Sequence, residues 1–80
     1  MIIEGCSMDR AAADQAIRIC LTETHNILKE AERISRAALA CAEAGSVSTA
    51  TAISDDLGQL LHDAGHLHDA ASLLNRLADQ

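Results

Sequence analysis

The sequence predicts an all-α fold, an antiparallel two-helix hairpin, and three observations carry the prediction. First, 16 Ala, 10 Leu and 7 Ile make up most of the apolar content of the 80 residues, and Pro, Phe, Tyr and Trp are absent. Ala and Leu are the strongest helix formers among apolar residues, whereas strand formers are scarce. Second, apolar residues recur at alternating spacings of three and four. Third, a glycine interrupts this spacing near the middle of the chain.

The first helix is expected from Met8 to Ala44, after Ser7 as a capping residue. Residues 1–6 show no periodicity and are expected to form a flexible N-terminal arm, with 7–80 as a single domain. The heptad spacing defines the side of this helix that packs, which we call its seam. Its members are Ala13, Ile17, Cys20, Thr24, Ile27, Ala31, Ile34, Ala38 and Cys41. The two cysteines in this seam are predicted to be small buried apolar residues.

The second helix is expected over residues 47–78. Gly45 suits the left-handed backbone that follows a helix end, and Ser46 or Ser48 can cap the next helix. The spacing continues without a slip through Gly58 and Gly65, which predicts one continuous helix, with a break at Gly65 as the alternative. The second seam is Ala50, Ile53, Leu57, Leu60, Ala64, Leu67, Ala71, Leu74 and Ala78.

Several leucines lie beside the two seams rather than on them. A hairpin covers one stripe of each helix, so these side chains are expected to remain partly bare. A core rich in alanine also removes little apolar area from water. Pairing of two hairpins into a four-helix bundle would cover the remaining area, which predicts a homodimer. The leucines concerned are Leu21, Leu28, Leu61, Leu73 and Leu77.

The charge balance disfavours several classes of partner. The formal net charge is −6, from 12 acidic and 6 basic residues, which disfavours binding to nucleic acid or to anionic membrane surfaces. Neither an apolar run long enough to span a membrane nor the basic start of a secretory signal is present. Three cysteines without a CxxC spacing favour reduced thiols. We therefore expect a cytoplasmic protein.

The primary functional hypothesis is a small acidic non-enzymatic protein. It would self-associate and act as an adaptor, a co-chaperone or an inhibitor by binding a protein partner. The sequence lacks nucleophile triads and phosphate-binding loops, and we expect no cofactor. Residues 45–80 hold five acids and one base, so the second helix could dock to a basic surface. The residues predicted to bind the partner are Asp55, Gln59, His62, His66 and Asp69.

A metal-responsive bundle is one alternative. His62 and His66 are four residues apart on one helix face, and Asp69 follows three residues later, so two imidazoles and a carboxylate could hold a divalent metal. However, Asp63 occupies the position of the glutamate in the HExxH motif of metalloproteases. A solvated histidine face and a pH-sensitive contact surface are the other interpretations of this cluster.

A phosphoacceptor or scaffold in a histidine–aspartate relay is the second alternative, with His25 on an outer position of the first helix as the candidate. Residues 54–61 carry the sequence Ser-Asp-Asp-Leu-Gly-Gln-Leu-Leu. This segment resembles the dimerisation helix of one class of histidine kinases, whose pattern is His-Asp-x-Leu-Gly-Gln-x-Leu. Ser54 stands where that family has its phosphoacceptor, and the resemblance covers eight residues.

Overall fold

Two antiparallel helices form the part of the chain that the structure describes, residues 9–79 of a computed structural model. Helix α1 spans Arg10–Glu43 and helix α2 spans Val47–Ala78, with no strand between residues 9 and 79. The two helices pack along their lengths into a rod of 65 × 15 × 15 Å. The prediction of an all-α helical hairpin is therefore confirmed. The predicted arm over residues 1–6 lies outside the described residues.

The start of α1 differs from the expectation. The helix begins at Arg10 rather than Met8, because Asp9 has a non-helical backbone (φ −59°, ψ 131°). The carboxylate of Asp9 accepts a hydrogen bond from the backbone N–H of Ala12 at 3.2 Å. Asp is as good an N-cap as Ser, and the aspartate rather than Ser7 caps α1.

The loop between the helices follows from one glycine. Gly45 has a φ of +95°, a left-handed conformation that glycine adopts without steric cost. The backbone N–H of Gly45 donates to the carbonyl of Ala42 at 3.0 Å, and that of Ser46 donates to the carbonyl of Cys41 at 2.9 Å. These two bonds form a Schellman motif, which ends α1 and reverses the chain direction.

Helix α2 has the predicted bounds and is continuous through Gly65. Ser46 is its N-cap residue, although the serine side chain makes no capping hydrogen bond. Gly58 and Gly65 are exposed, and a Cβ atom added at either position would meet no other atom within 4 Å. Packing between the two helices therefore does not require glycine at these positions.

The core of the hairpin consists of alanine. The buried residues of the described chain are all alanines, whereas every large apolar side chain in residues 9–79 is half-buried or exposed. Two helices enclose only the line between their axes, and short side chains on that line are covered most completely. Cys20 and Cys41, which we predicted to be buried, are half-buried for this reason. The buried residues are Ala13, Ala31, Ala38, Ala50, Ala64 and Ala71.

Arg10 links the two helices at their free ends. Its guanidinium donates to the carboxylate of Asp14 within α1, and across the hairpin to Asp79 at 3.0 Å and to the side-chain oxygen of Asn75 at 3.0 Å. Arg10 therefore lies opposite Asp79. Because the helices are antiparallel, continuing this register inward places Leu28 opposite Leu61.

No helix in residues 9–79 combines the length and the apolar character needed to cross a membrane.

Candidate functional site

The predicted partner-binding residues lie on the outer surface of α2. All five are exposed, and heptad spacing places them on the side of α2 that faces away from α1. The amide of Gln59 donates to the carboxylate of Asp63 at 2.8 Å. This surface is convex and polar, so it offers charge and hydrogen-bonding groups rather than a pocket. Its members are Asp55, Gln59, His62, His66 and Asp69.

The two histidines of the proposed metal site lie close together. The ring centroids of His62 and His66 are 4.3 Å apart and the ring planes are tilted by 59°. Among residues 9–79, however, no three His, Cys, Asp or Glu side chains are grouped closely enough to hold a metal ion. Asp69 therefore does not complete a three-ligand set. A zinc titration of the melting temperature, with and without His62→Ala and His66→Ala, tests what remains of this hypothesis.

His25, the candidate phosphoacceptor, is exposed on α1. In the segment that resembles a kinase dimerisation helix, Ser54 is half-buried and its hydroxyl donates to the carbonyl of Thr51 at 2.9 Å. The serine is thus engaged with the backbone of its own helix. Labelling with acetyl phosphate, compared with a His25→Ala variant, tests the relay hypothesis, which stays a prediction.

Besides the outer surface of each helix, the hairpin has two long sides to which both helices contribute residues. These two sides have different chemistry. One side, which we call the leucine side, carries Leu21, Leu28 and Leu61, whose exposed fractions are 49, 44 and 54%. A shallow groove near the free ends lies on this side, between Leu21 of α1 and Asn75 of α2. The exposure predicted for these leucines is confirmed. Leu73 is exposed as well, and Leu77 is half-buried.

The opposite side carries a row of carboxylates, and we call it the acidic side. Its members are Glu23 and Glu30 of α1 and Asp56 and Asp63 of α2, each pair separated by seven residues and thus on one flank of its helix. An open groove on this side is lined by Glu30, Ile34, Asp56, Gln59 and Leu60. Its floor is apolar, because Ile34 and Leu60 belong to the seams and are only half-buried.

One base lies within this carboxylate row. The guanidinium of Arg33 donates to Glu30 at 2.5 Å, and this hydrogen bond holds the pKa of the Glu30 carboxyl below its ordinary value. Arg33 therefore neutralises one of the four carboxylates. The remaining three keep the acidic side negative.

Our sequence interpretation missed the acidic side. The charge of each helix, taken separately, predicts partner binding on the outer surface of α2. The seven-residue spacing of Glu23 and Glu30, and of Asp56 and Asp63, was a usable signal. Its meaning depends on which flanks of the two helices meet, and only the antiparallel pairing shows that.

Comparisons with protein-family models, with curated proteins and with solved structures found no match for this chain.

Proposed function

We propose that this chain is a small non-enzymatic helical protein that forms a homodimeric four-helix bundle and binds a protein partner as an adaptor, co-chaperone or inhibitor. One observation supports the proposal above all: the described hairpin buries alanines and leaves every large apolar side chain partly exposed. A fold of this size needs more apolar burial than an alanine core supplies. Self-association is a common way to obtain it.

The leucine side is the proposed dimer interface. Full burial of a leucine stabilises a protein by about 1.5–3 kcal/mol, and Leu21, Leu28 and Leu61 are each about half exposed. The Leu28–Leu61 pair lies near the middle of the rod. A two-fold axis at that point would bring the pairs of both copies together, as an isologous interface requires.

The outer surface of α2 is the proposed partner-binding surface. A dimer formed through the leucine side leaves this surface free, with the carboxylates of Asp55 and Asp69 and the imidazoles of His62 and His66 exposed. Its charge favours a partner with a basic surface. A cytoplasmic location is part of the proposal, and the free thiols of Cys20 and Cys41 support it.

Sedimentation equilibrium at micromolar concentration tests the dimer. We expect the wild-type chain to sediment as a dimer, and a Leu28→Glu/Leu61→Glu variant to lose dimerisation because two charges enter the interface. Ile19→Glu/Leu73→Glu is the matched control, since Ile19 (59%) and Leu73 (46%) are similarly exposed but lie outside the leucine side.

A stable, fully helical monomer of the wild-type chain would overturn the proposal. Loss of dimerisation in the control variant, with the Leu28/Leu61 variant still dimeric, would place the interface on the outer surfaces that carry Ile19 and Leu73. Circular dichroism of each variant separates a loss of association from unfolding.

A further inference from the structure

The acidic side differs from the proposed dimer interface and from the outer surface of α2 in one respect: it is a groove with an apolar floor and acidic walls. The floor is formed by Ile34 and Leu60, and the walls carry the carboxylates of Glu30 and Asp56. Glu23 and Asp63 continue the same two flanks toward the free ends of the rod. This combination of shape and charge is specific enough to define a ligand class.

We propose that the groove on the acidic side binds an amphipathic helix of a partner protein, with an apolar stripe flanked by Lys and Arg. The inference rests on the proposed function, since it names the kind of partner that the adaptor binds. A third helix laid along this groove would pack its apolar residues, at spacings of three and four, onto the floor of Ile34 and Leu60. Lys and Arg on the two flanks of that helix would then reach Glu23 on the α1 wall and Asp56 and Asp63 on the α2 wall, the three carboxylates that Arg33 does not neutralise.

Charge complementarity selects this occupant over a second copy of the chain. Two acidic sides would repel each other on contact. Half of the basic residues of the chain are also engaged, because Arg10, Arg33 and Arg36, three of the six, form ion pairs within their own chain. A foreign helix with free Lys and Arg side chains does not have to break such pairs before it binds.

The outer surface of α2, which we predicted to bind the partner, meets this groove at one residue. Gln59 lines the groove and also belongs to the set of Asp55, Gln59, His62, His66 and Asp69. The inference therefore shifts the main contact from the outer surface of α2 to the adjoining groove, where apolar burial supplements the electrostatic attraction. The five residues predicted on the outer surface are all polar and exposed.

The probe for the test is a labelled peptide of about 18 residues, long enough to form several helical turns when bound. It carries leucines at spacings of three and four, with Lys and Arg on both flanks. A control peptide has the same composition with the leucines scrambled. Fluorescence anisotropy with the full-length protein should show that the amphipathic peptide binds at least about tenfold more tightly than the control. Its affinity should also fall as salt rises.

Two charge-matched protein variants locate the binding surface. Asp56→Asn/Asp63→Asn neutralises two carboxylates of the groove walls, and Asp55→Asn/Asp69→Asn neutralises two on the outer surface of the same helix. We expect the first pair to weaken binding about fivefold to tenfold and the second less than about twofold, because only the first contacts the peptide. In NMR spectra, backbone signals of Ile34 and Leu60 should shift on binding more than those of Leu21 and Leu28.

Equal affinity for the two peptides, or no binding, would overturn the inference. So would a larger effect of the outer pair, or signal shifts confined to the leucine side. Sedimentation of the same samples distinguishes failure of the groove proposal from failure of the homodimer proposal. A dimer that does not bind the peptide contradicts only the proposal of a helix-binding groove. A monomer that binds the peptide contradicts only the proposal of a homodimer.

Discussion

The two helices of the hairpin are stabilised in different ways. Helix α1 is capped by the side chain of Asp9 and contains ion pairs of Arg10 with Asp14, Arg33 with Glu30 and Arg36 with Glu32. Helix α2 has no side-chain cap at its start, carries two exposed glycines, and within its described residues contains no internal ion pair. Local interactions thus favour α1, chiefly because a side-chain cap is worth about 1 kcal/mol and each glycine costs α2 about 1 kcal/mol relative to alanine.

This difference shows that packing must supply what α2 lacks locally. Helix α2 contributes a regular row of leucines to its seam, and α1 contributes smaller side chains such as Thr24 and Cys20. We infer that α1 acts as the more stable template against which α2 becomes ordered. Changes that weaken packing should therefore destabilise α2 before α1. Changes that raise the intrinsic helix propensity of α2 should reduce the difference in stability between the two helices.

Leu67→Asp should have the largest effect, because it places a charge on the seam of α2 where packing is the main source of stability. We expect a loss of about 2–4 kcal/mol in the free energy of unfolding, measured by urea denaturation. Leu73→Asp is the control at an exposed leucine and should cost about 0.5 kcal/mol or less. Equal effects of the two substitutions would show that the heptad register of α2 is misassigned.

Replacing the two glycines of α2 should strengthen that helix. Gly58→Ala and Gly65→Ala meet no neighbouring atom and should each raise the free energy of unfolding by about 1 kcal/mol. Gly45→Ala is the opposite control, since its φ of +95° disfavours any side chain, and it should lower stability by about 1 kcal/mol or more. Thermal melts of the three variants measure the effect. A loss of stability at Gly58 or Gly65 would indicate that another molecule packs closely there.

Arg10 joins the free ends of the helices, and its removal should have a smaller effect. Arg10→Gln loses the links to Asp14, Asn75 and Asp79 and should cost about 0.5–1 kcal/mol, because all three partners are exposed. Arg18→Gln removes an exposed arginine of the same helix that takes part in no ion pair within residues 9–79 and should be nearly neutral. Hydrogen exchange should show faster opening near Asn75 in the first variant only. Unchanged exchange there would mean that the cross-hairpin bonds do not persist in solution.

The smallest predicted effect concerns Glu30 and pH. Arg33 lowers the pKa of the Glu30 carboxyl in the folded chain below its ordinary value of 4.5. The ionised carboxylate therefore stabilises the fold above the pKa of the unfolded chain, and this contribution is lost as pH falls through the lowered pKa. Glu30→Gln should slightly lower the melting temperature at neutral pH and converge with the wild type in acid. Glu23→Gln is the control, because Glu23 takes part in no ion pair within residues 9–79. If the difference in melting temperature between Glu30→Gln and the wild type grew as pH falls, the Arg33–Glu30 pair would not be the source of the stabilisation.

The sequence was sufficient to predict the elements of the fold but not the depth of burial within it. Heptad spacing and Gly45 locate both helices to within two residues, because they depend only on local geometry. The half-buried state of Cys20 and Cys41 depends on how many helices surround them, which spacing does not encode. The links made by Arg10 and the groove between Glu30 and Asp56 depend on the alignment of one helix against the other. Residues far apart in the chain determine that alignment.

The hairpin loop has a consequence for the order in which the rod assembles. Around Gly45, the bond from Ser46 to Cys41 closes a segment of only a few residues, whereas the bond from Arg10 to Asp79 joins residues 69 positions apart. The entropic cost of loop closure grows with the length of chain enclosed. We therefore expect pairing of the helices to begin at the turn and to proceed toward the chain termini. In the folded protein we expect the end that Arg10 joins to open first and the turn to remain closed longest.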